Sequence, residues 1–88
     1  MAADAVVIHP DDNVAVVVRE IKNKETITTG EGLKLEAVSE VPRNHKIALQ
    51  KIPEGSAVIK YGEKIGFAAT KIDKGEWVHT HNMKSEGE

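Results

Sequence analysis

Apolar residues occur along the chain in short runs that are separated by turn-forming residues. The first two runs, Ala5–Ile8 and Val14–Val18, are rich in valine and flank the sequence His-Pro-Asp-Asp-Asn, which is typical of a turn. We therefore predict a strand, a turn and a second strand. The second run is apolar at every position, which indicates a strand covered on both faces, by this domain or by a partner.

Two later segments carry hairpin signals. Thr26–Thr29 and Leu33–Val38 flank a Gly-Glu-Gly sequence, and leucine and alanine alternate with charged residues in the second of them. Val58–Tyr61 and Ile65–Ala69 flank a second glycine-containing turn. Gly62 is expected at the first central position of that turn, which predicts a type II′ hairpin.

A phrase of the form apolar-x-x-turn-polar-x-apolar punctuates the chain. Its three copies begin at Ile21, Ile52 and Ile72. Each copy predicts a corner between strands. The sequence spacing between the first two copies differs from that between the last two, whereas a solenoid needs a constant spacing. A further turn is predicted at Val41–His45, where Asn44 tolerates the left-handed conformation, followed by a strand at Lys46–Leu49. No segment keeps a helical period over three turns, so the sequence predicts an all-β domain of short strands, hairpins and corners.

Composition limits the size of the core and the classes of partner. With 88 residues and one each of Phe, Trp and Tyr, the chain has room for one small domain with an aliphatic core. The net charge is −2 and the basic residues are scattered, which argues against a nucleic-acid or anionic-membrane partner. The chain has no cysteine, no signal-peptide pattern and no apolar run that could span a bilayer, so we expect a cytoplasmic protein.

The C-terminal segment carries the strongest candidate chemistry. If the strand predicted after Ile72 continues, Trp77, His79 and His81 share one face, because side chains alternate along a strand. Imidazole suits both metal ligation and general acid–base catalysis, although both histidines could instead be surface side chains near the chain end. His45 beside Lys46 offers a proton donor next to a carboxylate-binding ammonium, and the alternative is a solvent-facing pair.

The remaining candidates are weaker. Lys60 and Tyr61 precede the hairpin turn and could line a cleft or an interface, unless they only pack the hairpin. His9 is more simply explained as a structural cap on the turn that follows it. Paired carboxylates, a nucleophile with its base and a phosphate-binding glycine loop are missing. Alone, the chain therefore has too few convergent polar groups for a complete active site.

Four phrases together resemble the N-terminal SAF domain of the altronate and galactarate dehydratase family, in order and over nearly the whole chain. They are HPxDNVAV from His9, VPxxHKIAL from Val41, VIKYGxxIG from Val58 and GEWVHTHN from Gly75. The resemblance implies a β-clip fold for residues 1–83, with 84–88 as a disordered polar tail. The sequence departs from the family pattern at Lys24 and Asn44, where glycine is usual, and both departures concern turns.

Members of this family carry the domain ahead of a larger catalytic domain or as a separate small subunit. The chain opens with methionine and ends just past the His-Asn phrase, so it is expected to be the small subunit, as in two-subunit altronate dehydratases and (2R)-sulfolactate sulfo-lyase. The resemblance implies elimination of water or sulfite from a 2-hydroxy acid. It also implies a large catalytic subunit, which would hold most of the ligands of a divalent metal, usually Fe²⁺.

The resemblance and the residue types together give one set of candidate site residues. The predicted catalytic residues are His45, His79 and His81, the last two also as metal ligands, and the predicted substrate-binding residues are Lys46, Lys60, Tyr61 and Asn82. A second interpretation is a binding module that caps a partner's active site or holds an assembly without supplying catalytic groups. A third, a protein of the periplasmic pilus-assembly type, is disfavoured because the sequence shows no signal peptide.

Overall fold

A computed structural model of the chain describes residues 3–85. Within that range the chain forms nine short strands and no helix, so the all-β prediction is confirmed. The strands are β1 Ala5–Val6, β2 Val14–Val17, β3 Thr26–Thr28, β4 Lys34–Glu36, β5 Lys46–Ala48, β6 Ala57–Lys60, β7 Glu63–Ala68, β8 Trp77–Val78 and β9 Met83–Lys84. A search of the described residues finds no helix that could cross a membrane.

A four-stranded antiparallel sheet with the order β1-β2-β5-β8 lies at the centre of the domain. On β2, Ala15 and Val17 point into a first hydrophobic core, whereas Val14 points into a second core on the opposite face. The strand was predicted to be covered on both faces, and the domain itself covers Val14, Ala15 and Val17 but leaves Val16 half-buried. Val18, the last residue of the apolar run, lies beyond β2 and is 44% exposed.

Each core is closed by a smaller sheet. The β3–β4 hairpin contributes Ile27 and Leu35 to the first core, and the β6-β7-β9 sheet contributes Val58 and Ala68 to the second. Among residues 3–85, the buried side chains that make up both cores are aliphatic, as the scarcity of aromatic residues predicted. Burying one such valine or isoleucine stabilises the fold by roughly 1.5–3 kcal/mol. The domain is therefore stabilised by two small aliphatic cores and not by one large aromatic core.

The β3–β4 hairpin confirms its prediction, with one exception. Ile27 pairs with Leu35 across the two strands, and Leu35 and Ala37 are buried while Lys34 and Glu36 are exposed. Leu33 was expected to follow the same alternation into the core, but it precedes β4 and is 44% exposed. The alternation of buried and exposed side chains therefore begins only where the two strands begin to pair.

The β6–β7 turn differs from its prediction. Lys60 pairs with Glu63, so Tyr61 and Gly62 are the central residues, with φ of 59° and 73°. Positive φ at both positions defines a type I′ turn and not the predicted type II′ turn. The Asp12 carboxylate favours this geometry because it accepts hydrogen bonds from the backbone N–H groups of Tyr61 at 3.2 Å and Gly62 at 2.8 Å.

The C-terminal end of the described chain also belongs to the domain. Lys84 lies in β9 and pairs with Phe67, and Met83 pairs with Ala68. The prediction that placed residues 84–88 outside the domain is therefore wrong for Lys84, which extends the third strand of a sheet. The rest of that predicted tail, residues 86–88, lies outside the described residues.

The corner phrase occurs four times, and its copies pair. The additional copy begins at Val41, which exchanges two backbone hydrogen bonds of 2.9 Å with Ile21. Ile52 and Ile72 make the same exchange at 2.8 and 2.9 Å. The separation within the first pair equals the separation within the second. The chain therefore contains two copies of one unit, which we call the first and second repeats, and the step from Ile21 to Ile52 is the repeat offset.

The hydrogen bonds around the corners follow the same repeat offset. The equivalent bonds are Lys24 N to Ala37 O and Gly55 N to Ala68 O, both 2.8 Å, and Asn44 N to Val17 O at 2.9 Å and Gly75 N to Ala48 O at 2.8 Å. All four donor residues have positive φ. The repeat is thus a property of the backbone, and its corners accept glycine, asparagine or lysine at one position.

Candidate functional site

Three predicted histidines and one tryptophan form a ring cluster at one end of β5 and β8. The register pairs Lys46, the first residue of β5, with Val78, the last residue of β8. The residue just before β5 and the residue just after β8 are therefore neighbours. Those residues are His45 and His79, whose ring centroids lie 4.7 Å apart. The first and second repeats therefore each contribute an imidazole to one site, which we call the His–Trp cluster: His45, Trp77, His79 and His81.

Trp77 organises this cluster. Its ring is stacked with His79 at 5.5 Å and an interplanar angle of 8°, and it contacts His81 at 4.9 Å. The indole Nε1–H donates a hydrogen bond of 3.2 Å to His45 Nδ1. Because the indole can only donate, Nδ1 of His45 carries no proton and the neutral ring holds its proton on Nε2. His45 is therefore fixed as an Nε2–H donor.

The strand expected to continue past Val78 ends there. Residues 79–82 form a turn in which the carbonyl of His79 accepts hydrogen bonds from the N–H groups of Asn82 at 3.1 Å and Met83 at 2.9 Å. The prediction that strand alternation aligns Trp77, His79 and His81 is therefore wrong in its geometry. The three rings still lie together, because the turn folds the imidazoles back against the indole.

Asn82 closes this turn from inside. It is 2% exposed; its Oδ1 accepts a hydrogen bond from His79 N at 3.0 Å, and its Nδ2 donates to Trp77 O at 2.8 Å. The same Nδ2 donates to Glu76 Oε2 at 3.1 Å. The amide predicted to bind substrate is thus engaged within the chain, and the structure gives Asn82 a positioning role toward His79.

One ammonium group, that of Lys46, lies near the cluster, and that of Lys60 lies near Lys46. Lys46 is half-buried on β5, and burial, followed by the charge of Lys60, lowers its pKa. Within residues 3–85, neither lysine has a carboxylate at ion-pair distance. The Lys60 ammonium instead lies 5.0 Å from the ring centre of Tyr61, which is 59% exposed. The predicted substrate-binding lysines therefore form a cationic patch without an internal counterion.

The environment of His79 favours its neutral form. Burial lowers the pKa of His79, and the nearby positive charges of His45, Lys46 and His81 lower it further. A neutral imidazole is the form that accepts a proton or ligates a metal ion. The cluster therefore keeps at least one base available near neutral pH.

The cluster does not form a metal site on its own. Iron and similar divalent ions are commonly held by sets such as two histidines and a carboxylate. No group of three or more histidine or carboxylate side chains within residues 3–85 converges in a way that could hold an ion. The prediction that His79 and His81 are metal ligands therefore requires further ligands from outside the described residues.

His9 and Asp12 lie outside the cluster, and their roles are structural. His9 Nδ1 accepts a hydrogen bond of 3.0 Å from Asp11 N, which confirms that the ring caps its turn. Asp12 is 8% exposed and accepts three backbone hydrogen bonds, from His9, Tyr61 and Gly62. Sequence reasoning missed this anchor, although an aspartate in the turn just before a buried strand is one signal for such a role.

Comparison with known proteins agrees with this architecture. Residues 3–86 match the family described as the altronate/galactarate dehydratase SAF domain. Altronate dehydratase of Bacillus subtilis is 41% identical over 78 residues, which cover 89% of this chain and 16% of that protein. Galactarate dehydratase (L-threo-forming) of Escherichia coli is 38% identical over 71 residues, which cover 81% of this chain and 13% of that protein.

A third relative has a different extent. The (2R)-sulfolactate sulfo-lyase subunit alpha of Chromohalobacter salexigens is 37% identical over 92 residues, which cover 98% of each chain. The chain thus spans less than a fifth of either dehydratase and nearly all of this subunit. The matched unit occurs both as part of a long chain and as a short subunit.

Proposed function

Because the chain belongs to the SAF-domain family of altronate and galactarate dehydratases, we propose that it is the small subunit of a cytoplasmic hydroxy-acid lyase. A large catalytic subunit completes the active site, and the reaction eliminates water or sulfite from a 2-hydroxy acid. The observation that carries this proposal is the His–Trp cluster beside Lys46, which has no counterion within residues 3–85. The match along a whole sulfo-lyase subunit supports the two-subunit arrangement.

Lys46 and Lys60 are proposed to bind the substrate carboxylate. Their charges lie close enough for Lys60 to lower the pKa of Lys46, and a bound carboxylate would relieve that repulsion. A half-buried ammonium also attracts an anion more strongly than an exposed one, because solvent screens it less. Tyr61 then lies at the rim, where its hydroxyl can reach the hydroxy-acid chain.

The histidines are proposed to handle the protons. Elimination moves the α-proton to a base and breaks the bond from the β-carbon to oxygen or sulfur as the double bond forms. Neutral His79 is suited to accept the α-proton and to pass it to a leaving hydroxide, which departs as water, and the Nε2–H of His45 is suited to donate a hydrogen bond to that oxygen. Sulfite leaves as an anion and needs no such proton. Trp77 keeps His45 in the donor tautomer through the 3.2 Å bond to Nδ1.

His79 has a second proposed role, as a ligand together with His81 for the divalent metal that the family implies. When bound, that ion would polarise the substrate carboxylate and hydroxyl. The two roles of His79 predict different results for the complex. Loss of metal from the His79→Ala complex supports ligation, whereas unchanged metal content with lost turnover supports the role as a base.

The test is a reconstituted complex of this chain with its large subunit, assayed on altronate, galactarate and sulfolactate with ferrous iron. We expect His79→Ala and His45→Ala to lower kcat by about 10²- to 10⁴-fold, the usual contribution of general acid–base groups. His9→Ala is the matched control, since it removes an imidazole outside the cluster. Full turnover in the cluster variants, or no large subunit bound to the wild-type chain, would overturn the proposal.

A second candidate is a non-catalytic module that caps the partner's active site. The observation in its favour is that His45 Nδ1 and the Asn82 amide are already engaged within the chain. In that case the cluster acts as a rigid cap. The histidine variants would then weaken assembly with the large subunit and leave the turnover of the assembled complex unchanged.

A further inference from the structure

One face of the central sheet is covered over only half of its width. The register places Val6, Val16, Lys46 and Val78 in one row across β1, β2, β5 and β8. Val78 is fully buried in the second core, Val16 is half-buried and Val6 is 44% exposed. The β6-β7-β9 layer therefore covers the β8 side of this face and leaves the β1 side open.

A third valine extends the open half. Val18 lies two positions after Val16, which places it on the same face, and it is 44% exposed. Its backbone N–H donates to Asp4 O at 2.9 Å. The pairing between the segments of β1 and β2 therefore continues past the ends of the strands and fixes the backbone at Val18. Val6, Val16 and Val18 together form a contiguous apolar surface, which we call the valine face.

The valine face ends at the candidate active site. Next to Val16 in the row is Lys46, which has no counterion among residues 3–85 and whose charge acts on His79 of the His–Trp cluster. Trp77 of the cluster packs on the opposite side, against the first core, so the valine face meets the site at Lys46. Any body that closes the site from the Lys46 side therefore also passes over Val16. Continuous apolar surface beside such a site is typical of a surface that another protein covers.

We infer that the valine face is the surface on which the large catalytic subunit docks. This inference rests on the proposed function. Its continuity with Lys46 explains how one partner both binds the face and reaches the site. In the relative from Bacillus subtilis, the matched unit is 16% of one chain, so a body about five times larger is covalently present to cover such a face.

A rival surface lies on the other side of the sheet. A groove of about 220 Å³ is lined by Val7, Pro10, Leu33 and Leu49, among others. Val7 and Leu49 pack against the first core, as Trp77 does, so this groove opens on the opposite face of the sheet from Lys46 and the valine face. Leu33 is exposed to the same extent as Val6 and Val18, at 44%, and provides a matched control.

The test titrates the purified large subunit, identified by mass spectrometry as dehydratase-like, with the wild-type chain and with Val6→Glu, Val18→Glu and Leu33→Glu variants. We expect either valine variant to weaken binding by about 100-fold or more, because docking would bury an unpaired carboxylate. The Leu33→Glu variant should bind within about threefold of the wild type. Each valine is exposed in the free chain, so unfolding curves should show that the variants fold normally.

The outcomes separate the two proposals. If the wild-type chain does not bind the large subunit, the proposed function fails and this inference fails with it. If the wild type binds and the valine variants bind equally well, only the docking inference fails. Weakening by Leu33→Glu alone would assign docking to the groove. A dimer of the free chain that Val18→Glu dissociates would assign the valine face to a second copy and overturn the inference.

Discussion

The two repeats share one backbone but differ in what their corners require. In both, the corner residue with positive φ donates its N–H to a carbonyl of the chain segment that packs beside it, and equivalent bonds are related by the repeat offset. The first repeat uses Lys24 and Asn44 at its corners, and the second uses Gly55 and Gly75. The hydrogen-bond pattern therefore tolerates several residue types, and close packing decides where glycine is necessary.

Gly75 should be the least replaceable of the four corners. It has φ of 86°, and an added Cβ would overlap with the carbonyl oxygen of Glu36. Gly55 has φ of 84° but no atom within 4 Å of such a Cβ. We expect Gly75→Ala to lower the free energy of unfolding by about 3 kcal/mol or more, from strain plus overlap, and Gly55→Ala by about 1–2 kcal/mol from strain alone.

Urea unfolding of the two alanine variants measures this difference directly. A larger loss for Gly75→Ala means that packing between the repeats sets the requirement. Equal losses would mean that conformational strain explains both positions and that the contact with Glu36 relaxes at little cost.

The N-terminal segment holds the equivalent strands of the two repeats with different side chains. Asp4 Oδ2 accepts a hydrogen bond from Thr28 N at 2.9 Å, and Asn13 Oδ1 accepts one from Ile59 N at 2.8 Å. Asn13 Nδ2 also donates to Ala57 O at 2.9 Å and is part of a buried side chain. The second repeat is therefore held by the more buried of the two contacts.

We expect Asn13→Ala to lower the free energy of unfolding by about 2–3 kcal/mol, because it leaves a backbone donor and a backbone acceptor unsatisfied. Asp4→Ala should cost about 1 kcal/mol, since water can reach the groups that it exposes. Thermal unfolding of both variants gives the comparison. A larger cost for Asp4→Ala would show that its contact with Arg19 matters more than burial.

Local sequence signals predicted most of the frame and the members of the cluster. Valine runs gave β1 and β2, alternation gave the β3–β4 hairpin, and the histidine spacing grouped His79 with His81. Side-chain contacts with the backbone decided the rest. The Asp12 carboxylate, distant in sequence, selected the type I′ turn at Tyr61. The Asn82 side chain ended the last predicted strand through local bonds to His79 and Trp77, which an alternation pattern does not reveal. The repeat was hidden because Lys24 and Asn44 replace glycine at its corners.

The ring cluster makes the end of the second repeat sensitive to pH. The repeat offset places Ala48 at the position in the first repeat that is equivalent to His79, so only the second repeat carries this ionisable group. Burial lowers the pKa of His79 below its ordinary value of 6.5. Between the lowered pKa and 6.5, the unfolded chain binds more protons than the folded chain, so stability should rise with pH across that window and then level off.

Nuclear magnetic resonance titration of His79 in the free chain tests the cause. Lys46→Met removes one of the positive neighbours and should raise the pKa of His79, while His79→Gln should reduce the rise of stability with pH below 6.5. A pKa of His79 above 6.5 in the wild-type chain would contradict the account.

The smallest expected effects are at the corners of the first repeat. Lys24 has φ of 73° and Asn44 has φ of 69°. A left-handed conformation costs lysine about 1–2 kcal/mol, whereas asparagine adopts it more readily, and glycine loses roughly 0.5–1 kcal/mol through its flexible unfolded state. Lys24→Gly should therefore raise the free energy of unfolding by about 0.5 kcal/mol, and Asn44→Gly should leave it unchanged within about 0.3 kcal/mol. Urea unfolding of the two variants measures these effects. A loss of stability in Lys24→Gly would mean that the lysine side chain makes a contact that outweighs its backbone strain. The two repeats would then differ in side-chain contacts as well as in packing.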